Sequence, residues 1–307
     1  MAFPGGTPRE DDMTYEDKPE PKLVRLNKYL ADNGIASRRR ADQLIADGEV
    51  MVDGHIVTEL GTKVDPETQR VEWEGHVLKP AGQRHRYYLL NKPTGVVCTN
   101  DEKELRRRAW DLIGDPEKGR VYPVGRLDVD TSGLIILTND GEFTHKVTHP
   151  SFGIEKAYRV TIEGYVSDDD LDKIRRGLHL AEGKTAAAKA AVKSRNDHGT
   201  EVLLTLTEGK NREVRRVFAR FGHKVRGLHR MKIGPIGDRG VPVGQWRLLE
   251  AEEVERLLAS GKEVPRSARR KSRGVGAGRA GERRPGASST RARGRRPEKA
   301  KKGGRRR

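Results

Sequence analysis

Residues 121–141, VYPVGRLDVDTSGLIILTNDG, enclose an acidic loop between two apolar segments. The first apolar piece runs into Gly125, and the second begins at Gly133 as a predicted strand. Strands on both sides can hold a loop carboxylate in a fixed position, and Asp128 is the first acid of that loop. The spacing alone leaves two interpretations of Asp128: a functional acid, or a turn residue that bonds its own backbone.

A second motif, EKAYRVTIEG at residues 155–164, has the pattern of a β-strand. Lys156, Tyr158 and Val160 share one face of that strand, because successive side chains alternate between faces. A tyrosine at this position either packs in the core or meets a base, as a stacking surface or as an acid/base group.

The third motif, EGKNREVRRVFARFGHKVRGLHRMKIGPI at residues 208–236, contains a helix that ends at Gly222. The helix has an apolar stripe made of Val214, Val217, Phe218 and Phe221. Arg215 lies on the flank of this stripe, about 60° from Phe218, and is the arginine expected to reach a buried partner. Arg212 and Arg216 point away from the stripe, either into solvent or toward RNA.

Residues 22–80 predict two helices followed by a hairpin. Leu26, Tyr29 and Leu30 recur at helical spacing, and Ser37 is placed to cap a second helix. Asp53 and Gly54 separate two short apolar segments, which is a strong hairpin signal.

Three arginines, Arg38, Arg39 and Arg40, occupy the first turn of that second helix. A helix N-terminus carries partial positive charge and prefers anions, so this placement is unfavourable without a ligand. A bound phosphate reverses the sign, since exposed N–H groups and arginines then converge on it. The pattern favours an RNA-backbone site over a solvated basic patch.

The remaining elements predict an α+β fold with a mostly antiparallel sheet, because strands and helices alternate irregularly. Predicted strands lie at residues 87–90, 133–138, 158–162 and 202–207. Predicted helices lie at residues 167–176, 211–221 and 251–258. Residues 185–192 are alanine-rich and are predicted to be helical from propensity alone.

Charge is concentrated at one end of the chain. The 307 residues carry 62 Lys+Arg against 45 Asp+Glu, a formal charge of +17. Residues 266–307 alone hold 18 basic and two acidic residues, which leaves the rest nearly neutral. Few apolar residues occur there, so the segment cannot offset its ordering entropy and is predicted to be disordered. This basic tail either attracts RNA phosphates or is a solubilising extension.

The composition also excludes several classes of protein. No apolar run approaches the roughly 20 residues that span a bilayer. The acidic residues 1–21 lack the apolar core of a signal peptide and are predicted to be disordered. The lone cysteine, Cys98, rules out an internal disulfide and a multi-cysteine metal site. We expect a cytoplasmic protein.

The stretch RLNKYLADNGIASRRRADQLIADGEVMVDGHIV, which begins at Arg25, resembles the alpha-L RNA-binding domain. This small helix–helix–hairpin module is shared by a ribosomal small-subunit protein and several RNA-modifying enzymes. The resemblance implies that Arg38, Arg39 and Arg40 grip structured RNA.

Four later segments resemble the RNA pseudouridine synthases, most closely the RsuA/RluB type that modifies single uridines in ribosomal RNA. They are NKPTGVVCT from Asn91, GRLDVDTSGLIILTNDG from Gly125, KAYRV from Lys156 and the third motif, in the order of the family. An alpha-L domain ahead of the catalytic domain is usual in this branch. The similarity spans about residues 23–258.

The resemblance implies a role for each motif. Asp128 is the essential carboxylate, Tyr158 packs against the target base and handles a proton, and Arg215 pairs with Asp128 to keep it ionised and oriented. The implied RNA-binding or loop-positioning residues are Arg126, Lys156, Lys210, Arg212 and Arg216.

The implied reaction breaks the bond between uracil and ribose, turns the base and rejoins it through a ring carbon. No atom is gained or lost, so no cofactor and no metal are expected. The carboxylate acts as a nucleophile or as a base, and sequence does not decide between them. The target uridine is expected to flip out of its stack.

The predicted organisation has four parts: a disordered acidic N-terminus at 1–21, an alpha-L domain at 22–82, a catalytic domain at 83–261 and a disordered basic tail at 262–307. We expect a monomeric bacterial enzyme that acts on 23S ribosomal RNA of the large subunit. The alternatives are a synthase for 16S RNA of the small subunit and a non-catalytic RNA-binding assembly factor.

Overall fold

A computed structural model of the chain describes residues 23–79, 84–101, 103–180, 183–185 and 188–261. The predicted acidic N-terminus at 1–21 and the basic tail at 262–307 lie outside the described residues. The predicted domain junction at 82/83 falls in an undescribed gap as well.

The N-terminal part of the structure has the predicted order of two helices and a hairpin. Its elements are β1 (Val24–Arg25), α1 (Leu26–Asp32), α2 (Arg38–Ala46), β2 (Val50–Val52), β3 (His55–Ile56), β4 (Lys63–Val64), β5 (Val71–Trp73) and β6 (His76–Leu78). The Ser37 hydroxyl caps α2 by accepting a hydrogen bond from the Arg40 amide at 3.2 Å. Asp53 and Gly54 have φ angles of 51° and 78°, as the two-residue turn between β2 and β3 requires.

The rest of the described chain forms a second, larger body of strands and helices. Its strands are β7 (Tyr87–Lys92), β8 (Tyr122–Pro123), β9 (Ser132–Thr138), β10 (Lys156–Ile162), β11 (His179–Leu180), β12 (Gly183–Lys184), β13 (Lys189–Asn196), β14 (Gly199–Leu206), β15 (Val225–Ile233), β16 (Ile236–Gly237) and β17 (Trp246–Leu248). Its helices are α3 (Gly141–Thr148), α4 (Asp168–Arg176), α5 (Glu213–Ala219) and α6 (Ala251–Ala259), with short 3-10 helices at Ala109–Leu112 and Pro150–Phe152.

One large sheet dominates this body. Within the described residues its strand order is β13-β14-β10-β15-β9-β7-β17, with β16 paired to β15 and β8 paired to β9. The β9–β15 pair is parallel and the other pairs are antiparallel, which confirms the predicted α+β class. Helices α4 and α5 pack on one face of the sheet, and α3 and α6 pack on the other, so that each face has its own apolar core.

The parallel contact between β9 and β15 is unusually close. Gly133 pairs with Arg230 and has a φ of 112°. A Cβ at Gly133 would lie 2.4 Å from both the backbone nitrogen and the backbone oxygen of Arg230. Only glycine permits this approach. The pairing of β9 with β15 therefore places Arg230 beside β9, the strand that follows the Asp128 loop.

The helix predicted at residues 185–192 is wrong where that segment is described. Lys189–Asn196 forms strand β13, which pairs with β14 in an antiparallel register that sets Ala190 opposite Leu204. Ala190 is buried in the core beneath α4, and its carbonyl accepts a hydrogen bond from Arg175 Nε at 2.8 Å. Pairing and burial outweigh the weak helical preference of alanine.

No helix in the described part of the chain is long and apolar enough to cross a membrane.

Candidate active site

A cavity of about 410 Å³ opens where the loop after β8, strand β10 and the turn before α5 meet. All three sequence motifs contribute to its wall. The charged and aromatic residues that line it are Arg126, Asp128, Lys156, Tyr158, Glu208, Lys210, Arg212, Glu213 and Arg230. The three sequence motifs therefore converge in space.

The loop at residues 124–131 is anchored at both ends, which fixes the position of Asp128. The Val124 amide donates to the Ile136 carbonyl at 2.7 Å, and the Thr131 amide donates to the Asp128 carbonyl at 3.1 Å. Leu127 is buried in the core, so the next side chain turns outward into the cavity. The Asp128 side chain is 29% exposed, which leaves the carboxylate accessible to a ligand.

The carboxylate of Asp128 is paired with Arg212, and not with Arg215 as predicted. Arg212 Nη1 lies 3.4 Å from Asp128 Oδ2. Arg215 instead holds Asp130: its Nη2 donates to the Asp130 carbonyl at 3.0 Å and lies 3.2 Å from Asp130 Oδ2. Arg215 Nη1 donates to the Val225 carbonyl at 3.1 Å.

The exchange of partners follows from where α5 begins. The helical projection assumed that Arg212 belongs to the helix, but α5 starts at Glu213 and Arg212 precedes it with a left-handed φ of 46°. Its side chain therefore turns back over the cavity and is 45% exposed at the mouth. Arg216 is within the helix and is half-buried. Arg215 lies on the flank of the apolar stripe as predicted, and reaches the same loop two residues beyond Asp128.

Strand β10 presents Lys156 and Tyr158 to the cavity. The burial pattern of the strand confirms that Lys156, Tyr158 and Val160 share its inner face. The Tyr158 side chain is buried, and its hydroxyl has no hydrogen-bond partner among the described residues. Lys156 Nζ donates to the Val147 carbonyl at 3.1 Å. Burial, with a smaller effect from the charge of Arg230, lowers the pKa of Lys156 to about 8.

Arg230 is a cavity residue to which the sequence analysis gave no role. It is buried, its Nε donates to the Leu134 carbonyl at 2.6 Å, and its Nη2 has no hydrogen-bond partner within the described part of the chain. The signal was present in the third motif: Leu228 and Arg230 are two residues apart on β15, so both face the side that lines the cavity.

Glu213 is the buried carboxyl group of the cavity wall. Burial raises its pKa. Its Oε2 accepts a hydrogen bond from the Lys210 amide at 3.0 Å, which closes the turn before α5. Lys210 Nζ in turn lies 2.9 Å from Glu208 Oε2. These contacts shape the turn that carries Arg212.

The other predicted RNA-binding arginines are exposed. Arg126 is exposed where the Asp128 loop meets solvent. Arg38, Arg39 and Arg40 are exposed along the first turn of α2, outside the Asp128 cavity. None of these three has a carboxylate within 4.0 Å among the described residues. Their charges are available to an anionic partner.

The described part of the chain contains no group of three or more histidine, cysteine, aspartate or glutamate side chains that could hold a metal ion.

The fold and the cavity define an RNA-modifying enzyme, as comparison with known proteins shows. Residues 86–220 match the family described as RNA pseudouridylate synthase, and residues 24–69 match the S4 domain. The ribosomal large subunit pseudouridine synthase B of Bacillus subtilis (strain 168) is 43% identical over 239 residues, which cover 77% of this chain and 96% of that protein. The ribosomal small subunit pseudouridine synthase A of Vibrio parahaemolyticus is 38% identical, over 76% of this chain and 98% of that protein.

A solved structure described as a pseudouridylate synthase superposes with a TM-score of 0.56 at 34% identity, over 76% of this chain and 99% of that one. The chain belongs to the RNA pseudouridine synthase family, with an S4 domain ahead of the catalytic fold. It is therefore an RNA pseudouridine synthase, an isomerase, as the resemblance implied.

Proposed function

We propose that this synthase isomerises single uridines in ribosomal RNA, and that its target is the RNA of the large subunit. Its relatives named above are ribosomal synthases of both subunits. The large-subunit relative is the more similar of these two, at 43% identity against 38%. A long basic tail adds affinity for a large folded RNA.

The accessible carboxylate of Asp128 carries the proposal. It is held in a fixed loop, faces a cavity lined by residues from all three motifs, and is exposed enough to meet a ribose. It attacks the anomeric carbon as a nucleophile or removes a ribose proton as a base. Either role needs a carboxylate held toward the substrate, and Arg212 Nη1 contacts this group at 3.4 Å.

Arg215 is a positioning residue in this scheme. It contacts the backbone and the side chain of Asp130, and it also bonds the chain at Val225. It thereby ties the loop that carries Asp128 to the start of β15. Arg212 is the arginine that contacts the reacting carboxylate, and its side chain is 45% exposed at the mouth of the cavity.

Tyr158 provides the surface against which the flipped base packs. Its ring lines the cavity and its hydroxyl has no described protein partner, so the hydroxyl is available to accept the proton that leaves the newly bonded ring carbon while it passes its own proton to water. Arg126, exposed beside Asp128, holds the strand from which the base has been withdrawn. The scheme uses no cofactor, since the atoms of substrate and product are the same.

Tritium release from ring-labelled uridine tests the reaction and the substrate together. Protein-free 23S RNA should release tritium with the unmodified protein, and 16S RNA should not. Asp128→Asn should abolish release and keep RNA binding, because it removes the anion but preserves the shape. Asp172→Asn, an exposed acid on α4 outside the cavity, is the matched control and should react normally.

Two results would overturn these assignments. Unchanged release by Asp128→Asn would remove this carboxylate from the mechanism. Release from 16S RNA alone would replace the large subunit with the small subunit as the target.

A further inference from the structure

Among the described residues, the active-site cavity contains two buried cations without an anionic partner. Lys156 is 8% exposed and Arg230 is 5% exposed, and both line the cavity. Neither has a carboxylate within 4.0 Å among the described residues. Their hydrogen bonds go to backbone carbonyls, from Lys156 to Val147 and from Arg230 to Leu134.

The acids of the cavity are engaged elsewhere. Asp128 is paired with Arg212, Glu208 is paired with Lys210, and Glu213 accepts the Lys210 amide. Burying an unpaired charge is costly, and two neighbouring cations repel each other. Their mutual effect is visible in Lys156, whose pKa is lowered to about 8 by burial and by Arg230. Arg230 also leaves its Nη2 buried without a described hydrogen-bond acceptor. Two buried cations that lack a permanent anionic partner among the described residues are suited to stabilising an anion that forms only during the reaction.

We propose that Lys156 and Arg230 together stabilise the uracil anion that forms when the bond between the base and ribose breaks. This inference rests on the proposed function and identifies two further residues of the same site. It assigns Lys156 to the reacting base, in place of the general RNA contact expected from sequence.

The chemistry of the isomerisation produces such an anion by either route open to Asp128. The bond between N1 and C1′ breaks, and its electron pair stays on the base. C1′ is compensated by a bond to the Asp128 carboxylate, or by loss of the C2′ proton to it. The negative charge of the free base spreads over its ring nitrogens and two oxygens. C5 then forms the new bond to C1′, as the bond between Asp128 and C1′ breaks or as Asp128 returns the proton to C2′. The C5 proton then leaves, and N1 gains a proton.

The gradient of exposure across the cavity places these cations against the base and not against the phosphates. Arg126 and Arg212 are exposed at the mouth, where a hydrated polyanionic backbone can stay in water. Lys156 and Arg230 are more than nine-tenths buried, beside the apolar surfaces of Tyr158 and Leu228. Only a flipped base reaches that depth. Fixed charges in a site that excludes water stabilise a developing anion more strongly than the same charges at the surface.

Charge removal at each position tests the proposal. Lys156→Met and Arg230→Gln should each lower the single-turnover rate by about 100-fold, while the Kd for RNA changes by less than about threefold. Lys156→Met should melt no lower than the unmodified protein, because it removes a buried unpaired charge. Lys156→Arg should recover part of the rate. The exposed cations of β15 supply matched controls, Lys232→Met and Arg226→Gln, which should react normally.

A substrate with a better leaving group separates charge stabilisation from a general structural defect. RNA that carries 4-thiouridine at the target releases a more acidic base, whose anion needs less help from the protein. The rate loss of Lys156→Met and Arg230→Gln should therefore shrink at least tenfold on this RNA, as measured by nucleoside chromatography.

Each other outcome has a defined meaning. Equal rate losses on both RNAs would overturn the proposal, and so would a loss that follows a lowered melting temperature. A weakened Kd with an unchanged rate would assign the two cations to a phosphate instead. No turnover of either RNA by the unmodified protein would contradict the proposed function itself, whereas the ratios between variants address only the two cations.

Discussion

Lys156 destabilises the fold at neutral pH because it is charged and buried. Its pKa falls from 10.5 to about 8 on folding, so the unfolded chain binds more protons between those values. The free energy of unfolding therefore rises as the pH increases from about 8 to about 10.5. Below about pH 8 both states are protonated, and the full penalty of about 3 kcal/mol applies.

Lys156→Met should raise the free energy of unfolding at about pH 7 by about 1–2 kcal/mol, after the lost hydrogen bond to Val147 is allowed for. The advantage over the unmodified protein should shrink toward about pH 10, where the folded lysine is already neutral. Urea unfolding at several pH values measures the gain in unfolding free energy at about pH 7 and its decrease toward about pH 10. A variant that is less stable at neutral pH, or whose advantage is independent of pH, would contradict this account.

The positions of the candidate site residues could be predicted from sequence better than their pairings. Asp128 lies in a loop framed by two strands and Tyr158 lies on the inner face of β10, and the structure brings both to one cavity. The partner of Asp128 depends on where α5 begins. A left-handed Arg212 moves its side chain from the solvent face to the carboxylate. Alternation along β15 places Arg230 on the face of Leu228, but the sequence does not show that Arg230 is buried there with Nη2 unsatisfied.

The crossing of β9 and β15 is the element that connects the Asp128 loop to the cavity wall. Ser132 and His229 are paired across it, with Oγ and Nδ1 2.9 Å apart, and His229 Nε2 lies 3.0 Å from Asp238 Oδ2. Next to this chain of contacts, Gly133 lets the two backbones approach. The position of Arg230 therefore depends on a residue that has no side chain.

Gly133→Ala should destabilise the protein by about 3 kcal/mol or more. The added Cβ would overlap the Arg230 backbone at 2.4 Å, and alanine disfavours a φ of 112°. Gly237→Ala is the matched control, because nothing lies within 4 Å of a Cβ built there. Thermal and urea unfolding compare the two variants. If both variants unfold alike, the close approach of β9 and β15 is not required for stability.

Helix caps and tight turns could be predicted from sequence, because a few neighbouring residues determine them. The cap of α2 by Ser37 is confirmed by a 3.2 Å hydrogen bond from the Arg40 amide, and the hairpin of β2 and β3 has the predicted turn. Strand β13 was not predictable from propensity, because its alanines favour a helix and its strand conformation comes from antiparallel pairing with the adjacent β14. Single-residue propensity misses an element whose conformation is set by its pairing partner.

At the scale of the whole molecule, exposed cations and buried cations have different proposed tasks. The arginines of α2 are exposed, and the described residues offer them no carboxylate partner, which suits long-range attraction of RNA. Lys156 and Arg230 are enclosed by the catalytic body and act only on a base that enters it. Net charge could be predicted from composition, but this division could not, because it depends on burial.

Neutralising Arg38, Arg39 and Arg40 together to glutamine should weaken RNA binding and make it less sensitive to salt. Each phosphate contact releases counterions, so losing three contacts should reduce the slope of log K against log salt by about 2. The single-turnover rate at saturating RNA should stay unchanged, because these residues lie outside the cavity.

Lys189→Gln with Lys193→Gln is the matched control. Both lysines are on β13 and already paired with Glu155 and Glu201, so their removal should leave the slope unaltered. Filter binding across a salt series measures the slopes. A fall in slope in both variants, in the ratio of the three and two charges removed, would mean that total charge, and not the first turn of α2, sets the affinity for RNA.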